Sequence, residues 1–185
     1  MNTRLRIRLA LAAGVTAAVI GAGVVPAVAG AASTSTCGIT WGSRAKAAPQ
    51  MTSATVTGVR TARHDCFDRL VIDIAGRPAA GYDVRYIEPP YRAEGSGTPV
   101  RVAGGAVLQI VVRAPAYDAN GRATFRPQRF DSSGFRTFKD LAWGGSFEGQ
   151  SSFGLGVRAR LPFRVLQLDG PGNGTRLVVD VAHRW

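Results

Sequence analysis

Between residues 56 and 182 the apolar residues of this chain recur at every second position, not at every third or fourth. That period belongs to strands that turn alternate side chains into a core, and it excludes a helical fold. Leu70, Ile72 and Ile74 alternate with Val71, Asp73 and Ala75. Tyr82, Val84 and Tyr86 alternate with Asp83, Arg85 and Ile87 until Pro89 and Pro90 end the run. Val56 and Val59 mark an earlier strand, and regular structure is expected from about Met51. Val100 and Val102 lead through Gly104-Gly105 into 106–113, which reads as a tight hairpin with a primed turn. Alternation resumes over 135–143 and again over 153–159, where Gly154 and Gly156 suit a bulge or a close backbone approach. The clearest hairpin is the last, with 163–168 and 176–182 flanking six turn-forming residues from Asp169 to Gly174. Residues 117–130 show no period; Asn120-Gly121 reads as a turn, Pro127 as a breaker, and the mixture of Arg and aromatics as a long connection or an irregular hairpin. About eight short strands without a helix predict an all-β sandwich or barrel.

The first thirty-odd residues follow a different logic. Arg4, Arg6 and Arg8 precede a small and apolar run over 9–25, followed by Pro26 and Ala27-Val28-Ala29. A basic start, an apolar middle and a small-residue cleavage box are the parts of a secretory signal peptide. Residues 1–32 are therefore expected to be removed by cleavage after Ala29 to Ala32, leaving no stable membrane span. The alternative is a retained helix, since the run lies at the lower limit for crossing a bilayer. It lacks the basic stop-transfer cluster such a helix would carry. Cys37 follows Thr34-Ser35-Thr36 well beyond the apolar run, so lipid anchoring is not expected.

Cys37 and Cys66 are the only cysteines. Export places them in an oxidising compartment, so a Cys37–Cys66 disulfide is predicted. Closing that loop stabilises the fold by about 3–4 kcal/mol in the chain-entropy account. Paired metal ligation is disfavoured because the set of His and Cys partners that a zinc site requires is lacking, and neither a metal nor a cofactor is expected. Residues 33–52, rich in Ser, Thr, Ala and Gly, read as a flexible arm fixed only around Cys37 and Trp41; residues 53–185 read as one domain.

Without the three signal arginines the chain carries twenty basic against twelve acidic side chains, and all but two of the basic ones are Arg. A net charge of +8 attracts anions. Nucleic acid is not the expected partner, because the arginines are dispersed instead of following one helix or interleaving with aromatics. Anionic wall polymers, the carboxylates of peptidoglycan stems and anionic lipid headgroups are the partners an exported protein meets.

Catalytic signals are thin. His64 and His183 are the only histidines. The nucleophile-elbow pattern fails at Gly144-Gly145-Ser146-Phe147-Glu148, and Gly95-Ser96-Gly97 has no strand feeding it. His64 beside Asp65 is a weak general-base candidate, and Asp68, Asp73, Glu148 and Asp180 are the carboxylates a glycosidase would have to draw on. Asp73 and Asp180 fall at strand positions that face outward. No phosphate-cradling glycine motif is present.

Several blocks carry a resemblance: Cys66 to Gly76, Gly81 to Tyr86, Gly95 to Val100, Phe147-Glu148-Gly149, and Pro162 to Val165 through Arg176 to His183. In their order and spacing, from about residue 53 to 184, they resemble the AMIN-like domain of actinobacterial secreted proteins and lipoproteins. The resemblance implies a β-sandwich related to the AMIN domain of cell-wall amidases, and with it a non-catalytic module that localises to the envelope and binds peptidoglycan. The expectation is thus an antiparallel β-sandwich with a disulfide-tethered N-terminal arm, secreted and wall-associated, binding peptidoglycan or another anionic wall component. The alternatives are a protein-interaction module of an envelope complex and a small wall-acting hydrolase. Tyr86, Tyr91 and Arg92 are the candidate ligand-binding residues, since aromatic faces stack on sugars and Arg pairs with carboxylates.

Overall fold

The computed structural model describes residues 37–185; the signal segment and its cleavage site lie outside the described residues. Eleven strands and no helix appear among them: β1 (Lys46–Ala48), β2 (Thr55–Arg63), β3 (Phe67–Ala75), β4 (Tyr82–Ile87), β5 (Tyr91–Arg92), β6 (Pro99–Val100), β7 (Ala106–Val112), β8 (Phe138–Phe147), β9 (Gln150–Val157), β10 (Phe163–Asp169) and β11 (Thr175–Ala182). One antiparallel sheet runs β1-β4-β7-β9-β8, a second runs β10-β11-β3-β2, and β5 pairs with β6 alone. The two large sheets pack as a sandwich around a single core.

The core follows from the period of two. Leu70, Ile72 and Ile74 of β3 and Leu177, Val179 and Val181 of β11 are buried from one sheet, and Leu108, Ile110, Phe153 and Leu155 meet them from the other. Each such side chain contributes about 1.5–3 kcal/mol by leaving water. The odd spacing of Val56 and Val59 breaks the period, and the structure resolves it with a bulge. Val56 pairs with Ile74 and Gly58 with Asp73, so Thr57 is the extra residue and both valines reach the core. The β10–β11 hairpin forms as expected, in register from Phe163↔Val181 to Asp169↔Thr175.

Two local readings give way to tertiary pairing. The hairpin expected at Gly104-Gly105 does not form: β6 pairs with β5, and β7 lies between β4 and β9 with both edges occupied. Gly104 does take a positive φ of 143°, but it carries the chain past β9, where the Gly105 N–H donates to the Val157 carbonyl at 2.8 Å. Residues 37–52, the described part of the expected arm, make several contacts with the sandwich. Beyond the Cys37–Cys66 disulfide, Trp41 meets Phe67 edge-on at 5.6 Å, and the Phe163 N–H donates to Gly42. Lys46–Ala48 then pairs with β4, a strand without alternation that exists because β4 has an edge to fill.

Segment 88–104 covers the outer face of the five-stranded sheet, and its anchor is Tyr91. The ring is 1% exposed and rests on Gly144 and Gly154; a Cβ at Gly154 would lie 2.8 Å from Tyr91 Cδ1. Gly156 faces the Ala103 carbonyl in the same way, so the close approach read at 154 and 156 is present.

The disulfide closes a separation of 29 residues and ties the arm to the β2–β3 turn. Replacing both cysteines by serine is expected to lower unfolding stability by about 3–4 kcal/mol with the fold retained. Urea unfolding checks this; a loss under about 1 kcal/mol would show that the arm is held by Trp41 and β1 alone.

Candidate functional site

β2 ends one sheet and β8 ends the other, and the connection over 113–137 bridges the gap between them. Within it, Phe125-Arg126-Pro127-Gln128-Arg129-Phe130 forms an arch with an aromatic foot at each end. Phe125 packs against Trp143 at 5.0 Å and Phe153 at 5.7 Å, while Phe130 leans on Phe135, which stacks on the buried Phe138 at 5.6 Å. Both feet are half-buried against the core, and Arg126, Gln128 and Arg129 stay exposed at the crown. Beneath the arch lies a groove of about 540 Å³, walled by residues 57–61 of β2 and 125–131 of the arch, with Leu141, Trp143 and Phe153 as its floor.

The groove is rich in guanidinium groups. Arg60 holds Asp73 through two hydrogen bonds, Nε at 2.7 Å and Nη2 at 2.8 Å, and these bonds raise its pKa further. Arg176 reaches the same carboxylate at 3.6 Å. Thr57, Arg60 and Asp73 also wall a second depression of about 530 Å³ that runs toward Asn173 and Arg176. Outside the groove lining, Arg63 at the end of β2 donates to the Gly134 carbonyl at 3.1 Å. Asp131 accepts from the Ser133 N–H, which holds its carboxyl below the ordinary value. The groove is thus lined by three arginines, Arg60, Arg126 and Arg129, against the carboxylates Asp73 and Asp131. Among the described residues no ion pair engages Arg126 or Arg129.

Tyr86, Tyr91 and Arg92 are not brought together. The Tyr86 hydroxyl donates to the Leu161 carbonyl at 2.8 Å and accepts from the Leu161 N–H at 3.0 Å, and its ring meets Phe163 edge-on. Tyr91 is sealed against the glycines with its hydroxyl 2.7 Å from Ser152 Oγ. Only Arg92 is open to solvent, where Nη1 holds the Gly97 carbonyl. The arch itself was legible in the sequence only as an aperiodic stretch with Arg and aromatics; the pairing of its two phenylalanines across four residues was the available signal.

The carboxylates and histidines do not form one site, although Asp68 and His183 meet. Asp68 is fully buried, accepts from the Thr137 and Phe138 N–H groups at 2.6 and 3.1 Å, and meets His183 Nε2 at 2.9 Å. Asp180 faces outward as expected, yet it is fully buried beneath Arg69 and Arg164, which hold both its oxygens. Glu148 sits with a φ of 47° in the two-residue turn joining β8 to β9, and His64 stacks on Phe67 at 4.5 Å. Each of these groups except Glu148 has a structural partner.

A family model described as the AMIN-like domain matches residues 54–183, nearly all of the described sandwich. The chain belongs to the AMIN-like domain family. No curated protein and no solved structure matches it. AMIN-like domains are cell-wall-related modules of extracytoplasmic proteins and are in general non-catalytic, and the disulfide of this AMIN-like domain fits an oxidising compartment. No helix among the described residues is long and apolar enough to cross a membrane.

Burial raises the Tyr86 and Tyr91 phenols from 10.0 to about 12. Their folded values exceed the unfolded one, so their contribution to stability is fully present below pH 10 and is lost as the pH rises to about 12. Ultraviolet titration is expected to show two of the four tyrosines ionising late, together with a falling unfolding midpoint in that window. Ionisation of both near pH 10 would mean that these rings are solvated.

Proposed function

We propose that this AMIN-like domain is a secreted, non-catalytic envelope protein that binds peptidoglycan or another anionic wall component in the groove beneath the arch. The observation that carries this is the crown of the arch: Arg126 and Arg129 are exposed, without ion pairs among the described residues, above an apolar floor. Guanidinium groups left in this way recruit carboxylates or phosphates with bidentate geometry. The aromatic feet hold the backbone of the crown, so ligand binding has to order the arginine side chains and not the loop. A second reading, a module that binds a protein of an envelope complex, is favoured by the open edge of β2, which lies along the same groove.

Co-sedimentation with insoluble sacculi tests the first reading. Saturable pelleting at physiological salt is expected, and Arg126→Gln together with Arg129→Gln should weaken it by about tenfold, roughly 1.4 kcal/mol, with an unchanged melting temperature. Pelleting that vanishes once salt screens the net charge would reduce it to nonspecific attraction and promote the protein-binding reading.

A further inference from the structure

Five consecutive residues of β2, from Thr57 to Thr61, wall the groove. Successive side chains of a strand point to opposite faces, so a run of five on one groove means that the groove follows the strand's hydrogen-bonding edge and not a face. The parity of the ladder identifies the groups on that edge. His64 donates to Phe67 at 2.9 Å, and in an antiparallel pair the bonded positions alternate, so Ala62 and Arg60 also direct their backbone groups to β3. Val59, Thr61 and Arg63 direct theirs away from β3, where no further strand pairs.

Both ends of this open stretch are tied off. At one end the Val56 N–H donates to Pro115 and its carbonyl accepts from Thr124 Oγ1, each at 2.8 Å; at the other, Arg63 holds Gly134. Between the ties lies a slot with backbone donors and acceptors on one wall and arginines on the other. Five residues of strand give about 16 Å of edge, enough for a short extended peptide. The rings of the floor are packed on one another, Trp143 tilted on Phe153 at 4.8 Å and edge-on to Phe125 at 5.0 Å, and Phe153, 1% exposed, has no open face for a sugar ring.

We infer that this slot takes the peptide stems of peptidoglycan in extended form along the free edge of β2, with their carboxylates on Arg126 and Arg129. The inference rests on the wall-binding reading and selects the peptide, not the glycan, as the part recognised. Charge complementarity decides the occupant: Arg60, Arg126 and Arg129 line the slot with Asp73 and Asp131, Arg60 is held by Asp73, and Arg126 and Arg129 carry no ion pair among the described residues, while the stems carry amide groups and carboxylates together.

The test compares intact sacculi with glycan strands stripped of their peptides by amidase digestion, and uses the released peptides as soluble ligand. Stripped glycan is expected to bind at least about tenfold more weakly than sacculi. In the unaltered protein, saturating released peptide should slow amide exchange at Val59, Thr61 and Arg63 by at least about tenfold, beyond any change at Arg60 and Ala62. Thr61→Pro, at an edge position where proline is tolerated, should abolish binding while the protein stays folded. Equal binding of stripped glycan and sacculi, or no protection on β2, would overturn the inference and leave wall binding standing. Failure to pellet with intact sacculi would overturn both. Protection of the same amides without ligand, accompanied by concentration-dependent dimerisation in sedimentation velocity, would assign the edge to a second copy of the chain and also overturn it.

Discussion

Alternating side chains commit each strand to one buried face, and a two-sheet sandwich then leaves four terminal strands whose backbone edges must be paired, covered or charged. This constraint organises most of the irregular chain in the molecule. β1 is a short terminal strand beside β4, and the arm that carries it also touches the start of β10 through Gly42 and sets Lys46 over the Phe163 ring at 4.0 Å. The edge of β8 lies beside segment 88–104, where Asp140 accepts from the Ala103 N–H and Gly144 from the Glu94 N–H. β2 is tied at its ends and open between them, and the longest irregular connection among the described residues passes over that opening.

Buried charge works as an anchor in the same design. Asp180, with both oxygens held by Arg69 and Arg164, places the Arg164 guanidinium 4.4 Å from the Trp41 ring, so an ion pair, a cation–π contact and the disulfide together hold the arm. Asp68 gathers the start of β3, the start of β8 and His183 after β11 on one carboxylate. Removing either carboxylate would leave buried donors and cations without acceptors, which is why these groups read as structure and not as reserves for catalysis.

Strand identity was legible wherever alternation was strict, as at Leu70-Ile72-Ile74 and in the β10–β11 hairpin. It was misread where a residue's role depended on chain far away. The Gly104-Gly105 pair carries the local signature of a turn, but β7 already had two neighbours. Tyr91 was a candidate for stacking on a ligand, but the glycines of β8 and β9 make a bed for its ring. The arch was visible only as a region without period, since nothing local says that Phe125 and Phe130 turn inward and raise Arg126 and Arg129 between them.

The amino-acid sequence by itself determined the all-β class, the pairing of Cys37 with Cys66, the main strands and the basic surface, because each depends on period, count or charge that is local or additive. The tertiary structure decided which edges are filled, where the aperiodic segments lie and which arginines remain free of ion pairs. Those outcomes depend on contacts between residues as distant as Val56 and Thr124, and on strand neighbours that no window of sequence contains.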